Sequence, residues 1–148
     1  QRMIPLVKTW LKPGGKLVLT YLSWLPHKAP IAQASEQLIL RYNPHWSDAD
    51  FPGSRTIQHA WSKQDFRLVT YHAYEESIPF TRDSWRGRIR ACRGIGASLV
   101  PEEVARFDQE HDILLRQIAP DTFTILHQVW LYAYTPLGDA DVVQASPS

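Results

Sequence analysis

Cysteine is nearly absent from this chain, with Cys92 the only one. A single thiol excludes an intrachain disulfide and a cysteine-based zinc site, and it fits a reducing cytoplasm. An excess of one charge sign is lacking too: 16 basic residues face 15 acidic ones, for a formal net charge of +1. No global field therefore calls for nucleic acid or an anionic membrane as partner. Long apolar runs are missing, since nothing approaches the roughly 18 residues needed to span a bilayer. The opening Gln1-Arg2-Met3 leads into no signal-peptide core. There is no phosphate-binding loop, nucleophile elbow or metalloprotease motif. The expectation is a cytoplasmic protein without nucleic-acid or membrane partners.

What is there is ample apolar material. Hydrophobic residues make up 44% of 148, enough to bury the core of one domain. Six tryptophans, six tyrosines and 11 prolines are many for this length. They suit a pocket or interface built of large rigid side chains, or a compact core closed by proline-rich loops.

Local patterning predicts an alternation of helices and strands. Met3 to Leu11 reads as a helix end with Ile4, Leu6, Val7, Trp10 and Leu11 on one apolar face. Pro13 stops it, and Gly14-Gly15 permit the reversal into a strand, Lys16 to Trp24. Leu17-Val18-Leu19 is continuously apolar, as in a strand covered on both faces. A helix from Pro30 to Tyr42 carries a stripe of Ile31, Ala34, Leu38 and Tyr42. A long loop, Asn43 to Gly53, precedes a short helix capped by Ser54 and running from Arg55 to about Gln64. Phe66 to Ile78 alternates as a strand. Thr81 caps a helix to about Arg93, a glycine-containing loop follows, and Pro101 opens a helix to about Ile118. Phe123 to Tyr134 is the last strand. Residues 1–137 are thus expected to be structured, and 138–148 to form a polar tail.

Several segments carry a resemblance. They are Leu11-Lys12-Pro13-Gly14-Gly15-Lys16-Leu17-Val18-Leu19-Thr20, Trp24-Leu25-Pro26, Glu36-x-Leu38-Ile39-Leu40-Arg41-Tyr42-Asn43-Pro44-x-Trp46 and Phe66-Arg67. They continue with Ser84-Trp85-Arg86-Gly87-Arg88-Ile89-Arg90-Ala91, Gly94-x-Gly96-Ala97-Ser98-Leu99, Pro101-Glu102-x-Val104-x-x-Phe107-Asp108 and His127-x-Val129-Trp130. In this order they resemble the C-terminal half of class I S-adenosylmethionine-dependent methyltransferases of a bacterial small-molecule subgroup. The resemblance spans about residues 2 to 136. It implies an α/β fold: the closing half of a Rossmann-like sheet, three strands with flanking helices, the last strand antiparallel and inserted between the other two. It also implies S-adenosylmethionine as the family's cofactor. The glycine-rich loop and the acidic residue that hold that cofactor have no counterpart here, so no cofactor-binding residue is carried over. Gly94-Ile95-Gly96 is no substitute, because it follows a helix rather than a strand. The first strand, with no neighbour of its own kind in the chain, is expected to need one.

The candidate site residues are Trp24, Trp46, Trp85, Arg86 and Arg90. Arg82, Arg86, Arg90 and Arg93 share one helix side, with Trp85, Ile89 and Cys92 beside them. Such arginines can grip a carboxylate or phosphate, or lie solvated and paired with Glu102, Glu103 or Asp108. Tyr21, Ser23 and Trp24 end the first strand, where open α/β sheets bind ligands, and Trp46 can sit above them. Ordinary aromatic packing is the alternative. His111, among apolar helix positions, reads more readily as a core histidine than as a functional one. His45, Asp48 and Asp50 tempt a metal reading, yet nothing completes a shell, and no metal ligands are expected. Glu75 or Glu76 can serve as a base or simply end a strand in solvent; no catalytic residue is assigned.

Two functions follow as expectations. One is the substrate-side portion of a small-molecule methyltransferase, its partner the missing N-terminal half. The other is a non-catalytic remnant that homodimerises through its first strand.

Overall fold

A computed structural model describes residues 3–53 and 65–137. The helix expected over 55–64 with its cap Ser54, and the tail 138–148, lie outside the described residues. The elements are α1 (Met3–Trp10), β1 (Leu17–Trp24), a 3₁₀ turn (Pro26–Lys28), α2 (Pro30–Tyr42), β2 (Phe66–Thr81), α3 (Arg82–Arg90), α4 (Pro101–Ile118) and β3 (Thr122–Pro136). The protein is thus α/β, with one open antiparallel sheet of three strands in the order β1-β3-β2 and helices flanking it. The expected Rossmann-like sheet is not what forms here: the order of these three antiparallel strands is not Rossmann-like. No helix among the described residues is long and apolar enough to cross a membrane.

Backbone hydrogen bonds fix the strand directions. Leu137 N–H donates to the Asp65 carbonyl, and Arg82 N–H to the Asp121 carbonyl, so the start of β2 meets the end of β3 and the reverse. Leu25 N–H donates to the Leu126 carbonyl, which sets β1 beside β3. β3, with a neighbour on each side, is the strand covered on both faces: His127 and Gln128 are both buried, as are Tyr132, Ala133 and Tyr134. The expectation placed that role on β1. There the burial alternates instead, and Val18 is 51% exposed at the sheet edge.

The described residues form two compact units. The first comprises 3–22, 65–74 and 129–137. Between α1 and β1, Pro13 and Gly14 occupy the central positions of a type II turn. Gly15 N–H donates to the Lys12 carbonyl at 2.8 Å, and Gly14 takes φ +75°, a value that disfavours a side chain. Of the expected apolar face of α1, Leu6 and Trp10 are exposed, while Val7 and Leu11 are half-buried. Phe66, Trp130 and Tyr134 are buried here, and Tyr132 meets Tyr21 edge-on and Tyr71 at 5.0 Å.

The second unit comprises 23–53 and 75–128 and holds the larger core. Leu38, Ile39, Trp85, Ile89, Ile95, Phe107, Leu115 and Ile125 are all 0–1% exposed, each stabilising by about 1.5–3 kcal/mol. α2 turns a slightly different face inward than expected: Ala32, Ser35, Glu36, Leu38 and Ile39 are buried, while Ile31 and Tyr42 flank them. β2 runs past Ile78 to Thr81, because an edge strand tolerates Pro79 where no ladder donor is needed. α3 begins at a reciprocal capping box between Thr81 and Ser84, and it ends at Arg90 rather than Arg93.

Candidate functional site

The second unit gathers the chemistry around the last residue of β1. Trp24 Nε1–H donates to Glu36 Oε1 at 2.6 Å, and the Asp50 backbone N–H donates to Glu36 Oε2 at 3.0 Å. Glu36 is only 5% exposed. Burial pushes its carboxyl above the usual carboxylate value, and the two hydrogen bonds pull the other way. Asp50 holds a left-handed backbone, φ 59°, which a short polar side chain tolerates. Its carboxylate lies 2.8 Å from His27 Nε2. One buried carboxylate on α2 therefore ties the strand end to the 43–53 loop.

That loop carries Trp46, 6.3 Å from Trp24 between ring centres. The ring rests on Gly94: a methyl group there would lie 3.0 Å from Trp46 Cδ2 and 2.7 Å from Ile39 Cγ2. Asn43 Nδ2 donates to the Gly94 carbonyl, closing the loop onto the turn after α3. Trp46 Nε1, out of contact with solvent, has no acceptor among the described residues. Arg88 of α3 sits with its guanidinium carbon 5.0 Å from the centre of the Trp24 ring.

Trp85 is fully buried, edge-on to Trp24, and donates its Nε1–H to Ser35 Oγ at 2.9 Å. Ser35 Oγ also lies 2.9 Å from both the Ile31 carbonyl and His111 Nε2. The carbonyl can only accept, so the hydroxyl proton goes to it. Oγ then accepts from Trp85 and from His111 Nε2–H. His111 is neutral, its pKa lowered to about 4 by burial, and is a core residue as the sequence suggested, although it bonds a hydroxyl rather than backbone. By the same logic His127 Nδ1–H donates to the Ile125 carbonyl at 2.8 Å, leaving a buried Nε2 acceptor without a partner among the described residues. Burial lowers the His127 pKa, and the Arg88 charge adds to this against the Ile125 bond.

The arginines divide sharply. Arg86 donates to Asp108 at 2.7 Å and to Asp112 at 3.1 Å, and Arg90 reaches Asp108 at 3.2 Å. Arg82 pairs with Asp121. Of the partners weighed from sequence, Asp108 is the one used; Arg86 and Arg90 clamp α3 to α4. Trp24 and Trp46 therefore come together at the strand end, Trp85 supports them from the core, and Arg86 and Arg90 point to acids instead. Glu36, Arg88, Gly94 and His127 were missed as site residues. Glu36 carried no signal in the sequence, since it lies off the stripe of Ile31, Ala34, Leu38 and Tyr42.

A separate pocket of about 280 Å³ opens next to Lys28, Pro30, Ile31, Ser77, Thr124 and Leu126. Its cation is already neutralised, Lys28 Nζ lying 2.5 Å from Glu75 Oε1, which also commits one of the two acids considered as a base. Among the described residues no three acidic, histidine or cysteine side chains converge as a metal site. Compared with known proteins, the chain matches no protein-family model, no curated protein and no solved structure.

Proposed function

We propose that this chain is the substrate-side portion of an S-adenosylmethionine-dependent methyltransferase acting on a small molecule, with the cofactor-binding elements outside these 148 residues. The observation that carries the reading is topological. The last strand lies antiparallel between the first two and leaves β1 at an edge, the arrangement the sequence resemblance implies for the closing half of such a sheet. Methyl transfer is an in-line displacement that depends on holding the acceptor in place. Trp24, Trp46 and Arg88 would form the acceptor wall at the carboxyl end of β1, where open α/β sheets bind ligands. Glu36 would hold Trp24 and the loop in position. S-adenosylmethionine would supply the methyl group.

The edge also favours a second reading. β1 contains no charged residue and exposes Val18 and Leu22, which leaves the edge unprotected against strand pairing. A second copy related by a two-fold axis would set Thr20 against Thr20 and Val18 against Leu22, with like faces matched.

Calorimetric titration with S-adenosylhomocysteine separates the two, run on this chain and on the chain extended by any residues its gene encodes ahead of Gln1. The methyltransferase reading expects no binding to this chain and micromolar binding to the extended one. An extended chain that stays silent at millimolar ligand overturns it. A dimer in sedimentation that Thr20→Lys dissociates supports the second reading.

A further inference from the structure

The cavity beside the start of α2 opens to solvent and has walls of three kinds. Its backbone is fixed by the 3₁₀ turn, where Lys28 N–H donates to the Leu25 carbonyl at 3.0 Å and Ala29 N–H to the Pro26 carbonyl at 3.2 Å. Pro26 is buried and Pro30 opens α2, so the segment that carries Lys28 is stiff. β3 lies between β1 and β2, and Lys28, just after β1, therefore reaches Glu75 of β2 across β3. Thr124 and Leu126 of the crossed strand line the cavity, together with Pro30, Ile31 and Ser77. Lys28 thus brings a charge pair of both signs to the cavity, Ser77 and Thr124 add two exposed hydroxyls, and Pro30, Ile31 and Leu126 supply apolar surface. The volume, about 280 Å³, lies just under the roughly 300–1,000 Å³ typical of ligand pockets, which suits a molecule of amino-acid size.

We infer that this cavity binds a small zwitterion, an α-amino acid with an apolar side chain. A lone carboxylate would have to share Lys28 with Glu75 and meet its repulsion, and a lone ammonium group would meet the repulsion of Lys28. A molecule that carries both charges on neighbouring atoms exchanges one ion pair for two: its carboxylate takes Lys28, and its ammonium group takes Glu75. Opening the pair costs little, because its side chains are 56% and 41% exposed. The Ser77 and Thr124 hydroxyls can donate to the carboxylate or accept from the ammonium group. Pro30, Ile31 and Leu126 take the apolar side chain out of water. The site shares no lining residue with the Trp24 wall and is independent of the methyltransferase reading.

The test uses L-leucine as probe on the full chain, followed by amide NMR and calorimetry. Its controls each lack one charge: 4-methylpentanoate has no amino group, and 3-methylbutylamine has no carboxylate. L-leucine is expected to shift the amide resonances of Lys28, Ile31, Ser77 and Leu126 together and to saturate at low millimolar concentration. Each control should bind about fivefold or more weakly, the loss of one charged contact. Lys28→Met and Glu75→Gln, both at exposed positions, should each weaken L-leucine by about the same factor. Glu75→Gln should also erase the preference for L-leucine over 4-methylpentanoate, because it frees Lys28 for a plain carboxylate. No saturating shift at about 20 mM L-leucine, 4-methylpentanoate binding the parent as tightly as L-leucine, or undiminished binding by both variants overturns the inference. Should a variant fail to fold, the comparison of L-leucine with its controls on the parent protein decides alone.

Discussion

Replacing Glu36 by glutamine removes one acceptor and almost no volume, so it isolates what the buried carboxylate does. Both Glu36 oxygens accept, one from Trp24 Nε1–H and one from Asp50 N–H. An amide has one acceptor oxygen, so one of the two donors must face an NH₂ group. The loss is one charge-assisted hydrogen bond and a buried donor left unpaired. Part of that is returned, because burial already disfavours the charged carboxylate. Glu36→Gln should therefore cost about 1–3 kcal/mol. With a urea slope of about 1–3 kcal/mol/M, the midpoint should fall by about 1 M. The effect should couple to Trp24: in a Trp24→Phe background the indole donor is gone, and the cost of Glu36→Gln should shrink toward zero. The pH dependence has a definite sign. The carboxyl titrates higher in the folded protein than in the unfolded chain, so the native state holds more protons in the interval between the two values. Stability from this group falls as pH rises through that interval. The native protein's margin over Glu36→Gln is thus widest in mild acid and narrows toward neutrality, and urea curves at several pH values read it directly. A glutamine variant as stable as the parent, or a margin that widens with rising pH, would refute the reasoning.

Two further perturbations test the core around the site. His111 titrates near 4 in the folded protein against 6.5 in the unfolded chain. The unfolded state therefore binds the extra proton between those values, and stability should drop by up to about 3 kcal/mol as pH falls through them. A His111 ring resonance that titrates near 6.5 in folded protein would contradict this. Gly94→Ala would bring a methyl carbon to 2.7 Å from Ile39 Cγ2, at a cost of about 1–3 kcal/mol. The melting temperature should fall by several degrees, at about 2–4 °C per kcal/mol for a chain of this size. An unchanged melting temperature would mean that Trp46 does not rest on that turn.

Parts of the fold were legible because local chemistry decides them. Pro30 and Pro101 open helices whose ends at Tyr42 and Ile118 fall where the pattern placed them. Lys12-Pro13-Gly14-Gly15 has the residues that a type II turn requires. Other features depended on distant partners. Helical spacing shows that Arg82, Arg86 and Arg90 share a side; it does not show that the aspartates of α4 face that side, which leaves Arg88 for Trp24. Leu17-Val18-Leu19 is apolar enough for a strand covered on both faces, but its place at the sheet edge comes from β3. Glu36 reads as a surface residue until Trp24 and Asp50 are brought to it.

Ser35 joins three helices through one oxygen: its own helix through Ile31, α3 through Trp85, and α4 through His111. The dependence runs one way. With Trp85 or His111 exchanged for an apolar residue, the hydroxyl still donates to the Ile31 carbonyl. A serine lost alone leaves an indole N–H and an imidazole N–H buried with no acceptor. A related chain that has lost the serine should therefore have lost both donors too and filled the space with carbon, whereas either donor can change while the serine stays.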